Sequence, residues 1–179
     1  MGAQNFQKQI KLLSVLSAGL SEESFAEQLV TILTEVSELI LQIYDDERAW
    51  RTRIKPDRSP VTAADLQANC LLKSALANLL PGVPYVSEEE QPQTYRDRQQ
   101  WTRYWLVDPL DGTQEFLQRS GEFTVNVALI VAGEPLVGAL AIPVSGSIYV
   151  GRKDRSRPTV IQARRGCCVS PSRFLRFAR

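Results

Sequence analysis

Apolar positions recur every three or four residues from Phe25 through Leu29, Ile32, Val36 and Leu39 to Ile43, the period of a helix that buries one face. Ser21 precedes this run as a candidate N-cap, so the pattern predicts an amphipathic helix starting there. The charged, proline-punctuated stretch RTRIKPDRSP predicts a short strand and a loop. A second helix is expected from Thr62 to Leu80, with Leu66, Cys70, Leu76 and Leu79 on its buried side and PGVP ending it.

After PGVP the period shortens to two. YVSEEE predicts a brief strand running into an acidic turn, and RYWLVD a short apolar strand. In FTVNVALIV, Phe123, Val125, Val127, Leu129 and Val131 share one face while Thr124 and Asn126 share the other. AGEP turns the chain, and LVGALAIPV and IYVGR, joined at SGS, supply two more strands, so this part is expected to be largely antiparallel. Two helices followed by a meander predict an α+β layered domain.

Composition narrows the picture. With 179 residues and 44% hydrophobic content, the chain can bury the core of one ordinary domain. Its longest apolar region, 123–144, is broken by Asn126, Gly133, Glu134 and Pro135, so no membrane span is expected. LLSVLSAGL is short for a secretion signal, and MGAQNF has Phe6 where a myristoylation signal wants Ser or Thr. Cys70, Cys167 and Cys168 lack CxxC spacing and are odd in number, which suits a reducing, cytoplasmic setting.

Charge divides the chain. Residues 1–151 hold 12 Lys/Arg against 19 Asp/Glu, net −7, whereas residues 152–179 hold 9 against 1, net +8. The expected organisation is an N-terminal extension over 1–20, a domain over 21–151 and a basic, divergent tail over 152–179. The tail has little periodicity and no aromatic interleaving beyond Phe174 and Phe177, so no nucleic-acid partner is expected.

Histidine is absent. That excludes Ser-His-Asp and Cys-His nucleophile systems and the HExxH metal site, leaving oxygen ligands and hard cations such as magnesium, manganese or calcium. In WLVDPLDGTQEF, Pro109 is expected to take the chain out of the sheet, letting Asp108 and Asp111 converge. Two close carboxylates repel unless a cation or proton lies between them. The Leu110 carbonyl is a further hard ligand, Gly112 permits an unusual backbone angle, and Thr113 can open a helix whose free N–H groups face an anion. Bland alternatives stand beside each feature: DP and DG are common turn dipeptides, Thr62 and Asp65 fit a capping box, and Glu88 and Glu89 fit a solvated acidic turn. No EF-hand loop, GxxxxGK[ST] loop or GxGxxG fingerprint is present.

Taken in order, KPDRSPVTAAD, YVSEEE, WLVDPLDGTQEF and GEFTVNVALI resemble the inositol monophosphatase superfamily, most closely its CysQ-type 3′(2′),5′-bisphosphate nucleotidase branch. DPLDGTQEF is similar to that branch's DPLDGTKEF, with Gln114 a small departure. The resemblance implies a layered α/β sugar-phosphatase-type fold and a magnesium-dependent phosphomonoesterase acting on a small nucleoside bisphosphate, with inositol monophosphatase or sugar bisphosphatase as the alternative within it. It implies Glu88, Asp108 and the Leu110 carbonyl for one Mg²⁺, and Asp108 and Asp111 for a second. It further implies Gly112 and Thr113 backbone donors for the phosphate, Asp65 with the Thr113 hydroxyl for the attacking water, and Glu89 as an accessory acid. Glu88, Leu110 and Asp111 would thereby also border the substrate. The family's second domain, with its WDxAA-like motif, has no counterpart after Gly151, so the chain is expected to be C-terminally truncated, either a remnant or an active half. A homodimer is compatible with the resemblance.

Overall fold

The computed structural model describes residues 22–152 and two short strands, Val160–Ile161 and Phe174–Leu175, which pair antiparallel. The N-terminal extension, the Ser21 cap and most of the basic tail lie outside the described residues.

Helix α1, Glu22–Asp45, buries Phe25, Leu29, Leu33, Val36, Ile40 and Ile43. A short 3-10 turn, Glu47–Ala49, leads to strands β1 (Arg53–Ile54) and β2 (Pro60–Val61), an antiparallel hairpin where the sequence predicted one strand and a loop. Helix α2 spans Ala63–Leu79. Its buried stripe is Ala64, Ala68, Leu72, Leu76 and Leu79, while Leu66 is 40% exposed and Cys70 is exposed, contrary to expectation. The stripe begins with two alanines, which carry little hydrophobic signal but let α2 approach its neighbours closely.

The sheet has the order β3-β4-β5-β6-β7, with β3 (Tyr85–Ser87), β4 (Arg103–Asp111), β5 (Thr124–Val131), β6 (Glu134–Ile142) and β7 (Ser147–Arg152), and a short helix α3 (Tyr95–Arg98) lies between β3 and β4. β3 runs parallel to β4, and every later pair is antiparallel. The β5–β6 turn has positive φ at Ala132 (52°) and Gly133 (76°), the backbone that matches hairpin twist.

One expectation needs correction: β4 does not leave the sheet at Pro109. Asp108 pairs with Asn126 and Asp111 with Thr124, so one extra residue on β4 is absorbed as a bulge. A bulge tolerates a proline because one ladder hydrogen bond is already missing there.

Both helices cover the same sheet face: α1 packs on α2, β6 and β7, and α2 on β4. Among the described residues the opposite face is open. Leu106 is 45% exposed there, and with Leu140 and Tyr149 it lines a depression of about 750 Å³ that also takes in Glu88 and Asp108. Among the described residues no helix is long and apolar enough to cross a membrane.

Candidate active site

The first turn of α2 holds Asp65. Thr62 Oγ1 accepts the Ala64 N–H (3.1 Å), while the Thr62 N–H (2.8 Å) and Thr62 hydroxyl (2.6 Å) both donate to Asp65 Oδ2, completing a capping box. The cap does not exhaust this carboxylate. Its other oxygen, Oδ1, accepts the Thr113 hydroxyl at 2.9 Å, joining α2 to the turn after β4. Thr113 has one hydroxyl proton, and the Leu110 carbonyl at 3.3 Å is its longer alternative acceptor. Asp65 is 1% exposed, so its donors stand in for lost water.

The bulge shapes the next part. Asp108 Oδ1 accepts the Leu110 N–H at 3.2 Å, which folds the segment back on itself. Asn126, paired with Asp108 across the ladder, donates its amide to Asp111 Oδ2 (3.2 Å) and to Thr124 Oγ1 (3.1 Å). Gly112 then takes φ +97° and ψ 42° as N-cap of α4, Thr113–Leu117. A Cβ at Gly112 would lie 2.9 Å from the Glu122 carbonyl, so only glycine fits. No side chain caps α4, so its first N–H groups are not used by a capping residue.

The three glutamates after β3 diverge. Glu90 turns to α2, accepting from Asn69 Nδ2 (2.8 Å) and Lys73 Nζ (2.9 Å). Glu88 and Glu89 both accept from Lys55 Nζ, at 2.8 and 2.7 Å. Lys55 opens the β1–β2 turn, where its N–H meets the Ser59 carbonyl at 2.8 Å. The parallel register Ser87↔Val107 sets Glu88 beside Asp108 one residue further on, and both border the open depression.

Electrostatics tie these groups together. Burial first, then the charges of Glu88 and Asp111, push the Asp108 carboxyl up to about 6, against the Leu110 N–H. Burial also raises Glu89, opposed by Lys55 and assisted by the negative Asp65 and Glu88. Burial works against the Lys55 ammonium, but hydrogen bonds from it to Glu88 and Glu89 outweigh that and raise its pKa.

Asp65, Thr113 and the Leu110 carbonyl therefore meet directly, Asp111 meets Asn126, and Glu88 and Glu89 meet through Lys55. Among the described residues, no group of three or more acidic or cysteine side chains is gathered as an ion cage. The donors nevertheless fit a hard cation: carboxylates and a carbonyl, with an Asp108 carboxyl raised first by burial and then by the neighbouring charges of Glu88 and Asp111, which a divalent ion would offset. Sequence reasoning missed Lys55 and Asn126. Lys55 opens a polar loop, and Asn126 stands on the polar side of a strand alternation, so neither differs locally from a solvated residue.

Residues 21–169 match the Inositol monophosphatase family. The chain is 43% identical over 130 residues to the 3′(2′),5′-bisphosphate nucleotidase CysQ of Salmonella typhimurium, covering 73% of this chain and 52% of the relative. It is 46% identical over 123 residues to its Escherichia coli K12 counterpart, covering 69% and 50%. Among solved structures, CysQ from Bacteroides thetaiotaomicron superposes with a TM-score of 0.67 at 33% identity, over 85% of this chain and 54% of that one. The chain thus spans about half the length of the relatives it matches.

Proposed function

Because this chain belongs to the inositol monophosphatase family, we propose that it carries the catalytic acids of a magnesium-dependent 3′(2′),5′-bisphosphate nucleotidase. The reaction is removal of the 3′-phosphate from adenosine 3′,5′-bisphosphate, giving AMP and phosphate. The nucleotidase names of the relatives at 43% and 46% identity support this branch over inositol monophosphatase or sugar bisphosphatase. The observation that carries the reading is the Thr113–Asp65 hydrogen bond, 2.9 Å long between residues 48 apart in sequence, beside the Asp108–Asp111 bulge.

In this reading Glu88, Asp108 and the Leu110 carbonyl hold one Mg²⁺, and Asp108 and Asp111 reach a second. Held there, such ions would supply Lewis acidity, favouring ionisation of water and stabilising negative charge on the leaving oxygen. The protein's own residues do the positioning. Asp65, fixed by the capping box, accepts the hydrogen bond of the Thr113 hydroxyl, which leaves the Thr113 oxygen free to accept a hydrogen bond from the attacking water and so orient it. Asn126 steadies Asp111 through its amide hydrogen bond. In this reading the backbone N–H groups of Gly112 and Thr113, at a helix start that no side chain caps, would hold the phosphate, and Glu89 serves as an accessory acid. A cytoplasmic setting and a homodimer accompany this reading.

Phosphate release from adenosine 3′,5′-bisphosphate with Mg²⁺, compared with Asp108→Asn, tests it. A drop of about a hundredfold or more in the variant is expected. Release indifferent to that substitution, or faster release from inositol monophosphate in a parallel assay, overturns the assignment.

A further inference from the structure

Lys55 places an ammonium on the carboxylates that the proposed function assigns to Mg²⁺ and to acid chemistry. Its Nζ lies 2.8 Å from Glu88 Oε1 and 2.7 Å from Glu89 Oε1. The two partners differ in burial: the Glu89 side chain is 6% exposed and that of Glu88 is 53%. A buried carboxylate without a partner is costly, whereas an exposed one can exchange its partner for water or an ion at little cost. A divalent ion on Glu88 would compete for the same lone pairs and repel the ammonium. The lysine stem has four carbons and freely rotating bonds, and it starts from the β1–β2 turn outside both helices, so the ammonium can pivot about Glu89 without unfolding either helix.

We propose that Lys55 is a tethered cation that occupies Glu88 until a divalent ion arrives, then gives up Glu88 while keeping Glu89. The proposal rests on the metal-dependent reading above and adds to it a built-in competitor. It also accounts for the lack of an assembled acid cage among the described residues: Glu88 is engaged elsewhere. Lys55 is thus a positioning residue. It keeps two neighbouring carboxylates from repelling each other in the ion-free chain, and it sets how much free ion is needed to load the site.

Equilibrium Mn²⁺ binding to the full chain, followed by loss of the free-ion electron paramagnetic resonance signal, tests this directly. Lys55→Met should bind Mn²⁺ about tenfold more tightly than wild type, because a positive charge beside the ion is gone. Lys73→Met, which removes the analogous pair with Glu90, should leave affinity unchanged. Should Lys55→Met fail to fold, ¹³C-methylated lysines in the wild-type chain decide: Mg²⁺ should shift the Lys55 signal and leave that of Lys73 in place. Equal Mn²⁺ affinity in wild type and Lys55→Met, abolished by Asp108→Asn, would remove the role of Lys55 and leave the metal site standing. Absence of Mn²⁺ binding in all of these proteins would overturn the metal reading and this proposal together.

Discussion

Asp65 and Asp108 are both carboxylates of the candidate site, held in opposite ways. Asp65 is wrapped by three donors, while Asp108 faces Glu88, Asp111 and Glu89 with one backbone N–H in its favour. The consequence for Asp108 is a stability cost with a definite sign. Its pKa rises from 3.8 when the chain is unfolded to about 6 when folded, so between those values the folded chain binds more protons than the unfolded one. Stability contributed by this group is therefore present below about pH 4 and declines as pH rises through about 6. Asp108 is only half-buried, so solvent reduces the effect to about 1 kcal/mol. Urea unfolding in EDTA should show Asp108→Asn more stable than wild type by that amount at pH 7 and equal to it at pH 4. Parallel pH slopes in the two proteins would contradict the shift. The acidic residues themselves were legible in the sequence because they stand in the ordered motifs. Their partners Lys55 and Asn126 were not, since a strand or loop residue declares its contact only once distant segments are brought together.

At the level of elements, the capping box links fold to chemistry. Thr62 orders the first turn of α2 and, through the same hydroxyl, fixes the Asp65 oxygen opposite the one that Thr113 uses. Thr62→Ala should cost about 1–2 kcal/mol in thermal or urea unfolding, and Thr62→Ser should recover most of it because the capping oxygen returns. Phosphate release by Thr62→Ala should fall further than its folded fraction does, since Asp65 loses a donor. If activity merely tracks the folded fraction, the cap has no bearing on the site. The two readings of Asp65, cap and candidate site residue, do not exclude each other, because one carboxylate has two oxygens. Strands and helices were readable wherever a face is built from large apolar side chains, as in Val125, Val127 and Leu129 of β5. The buried face of α2 was readable at Leu76 and Leu79 but not in its first turns, where Ala64 and Ala68 define it by smallness rather than hydrophobicity. The bulge at Pro109 escaped for another reason. A proline forbids one ladder hydrogen bond, but whether the strand ends or bulges is decided by β5 on the far side.

For the molecule as a whole, the site depends on α4, a helix of five residues that is too short to persist by itself. An aromatic cluster supplies the missing support. Phe116 of α4 lies 5.0 Å from Tyr44 at the end of α1, 5.3 Å from Phe123 at the entry to β5 and 5.4 Å from Trp50, ring centre to ring centre. Arg119 closes the cluster, its guanidinium 4.7 Å over the Tyr44 ring and Nη1 donating to the Tyr44 carbonyl at 2.9 Å. The first helix, the hairpin approach and the site turn thus meet on one fully buried ring. Phe116→Ala should cost about 3–5 kcal/mol by lost burial plus cavity, a large share of the roughly 5–15 kcal/mol that holds an ordinary domain. Phe116→Leu keeps most of the volume and should cost less than about half as much. Thermal unfolding followed by near-ultraviolet circular dichroism reads both. A loss below about 1 kcal/mol in Phe116→Ala would mean that α4 is held by its backbone alone, and the Thr113–Asp65 contact would then need another source of rigidity.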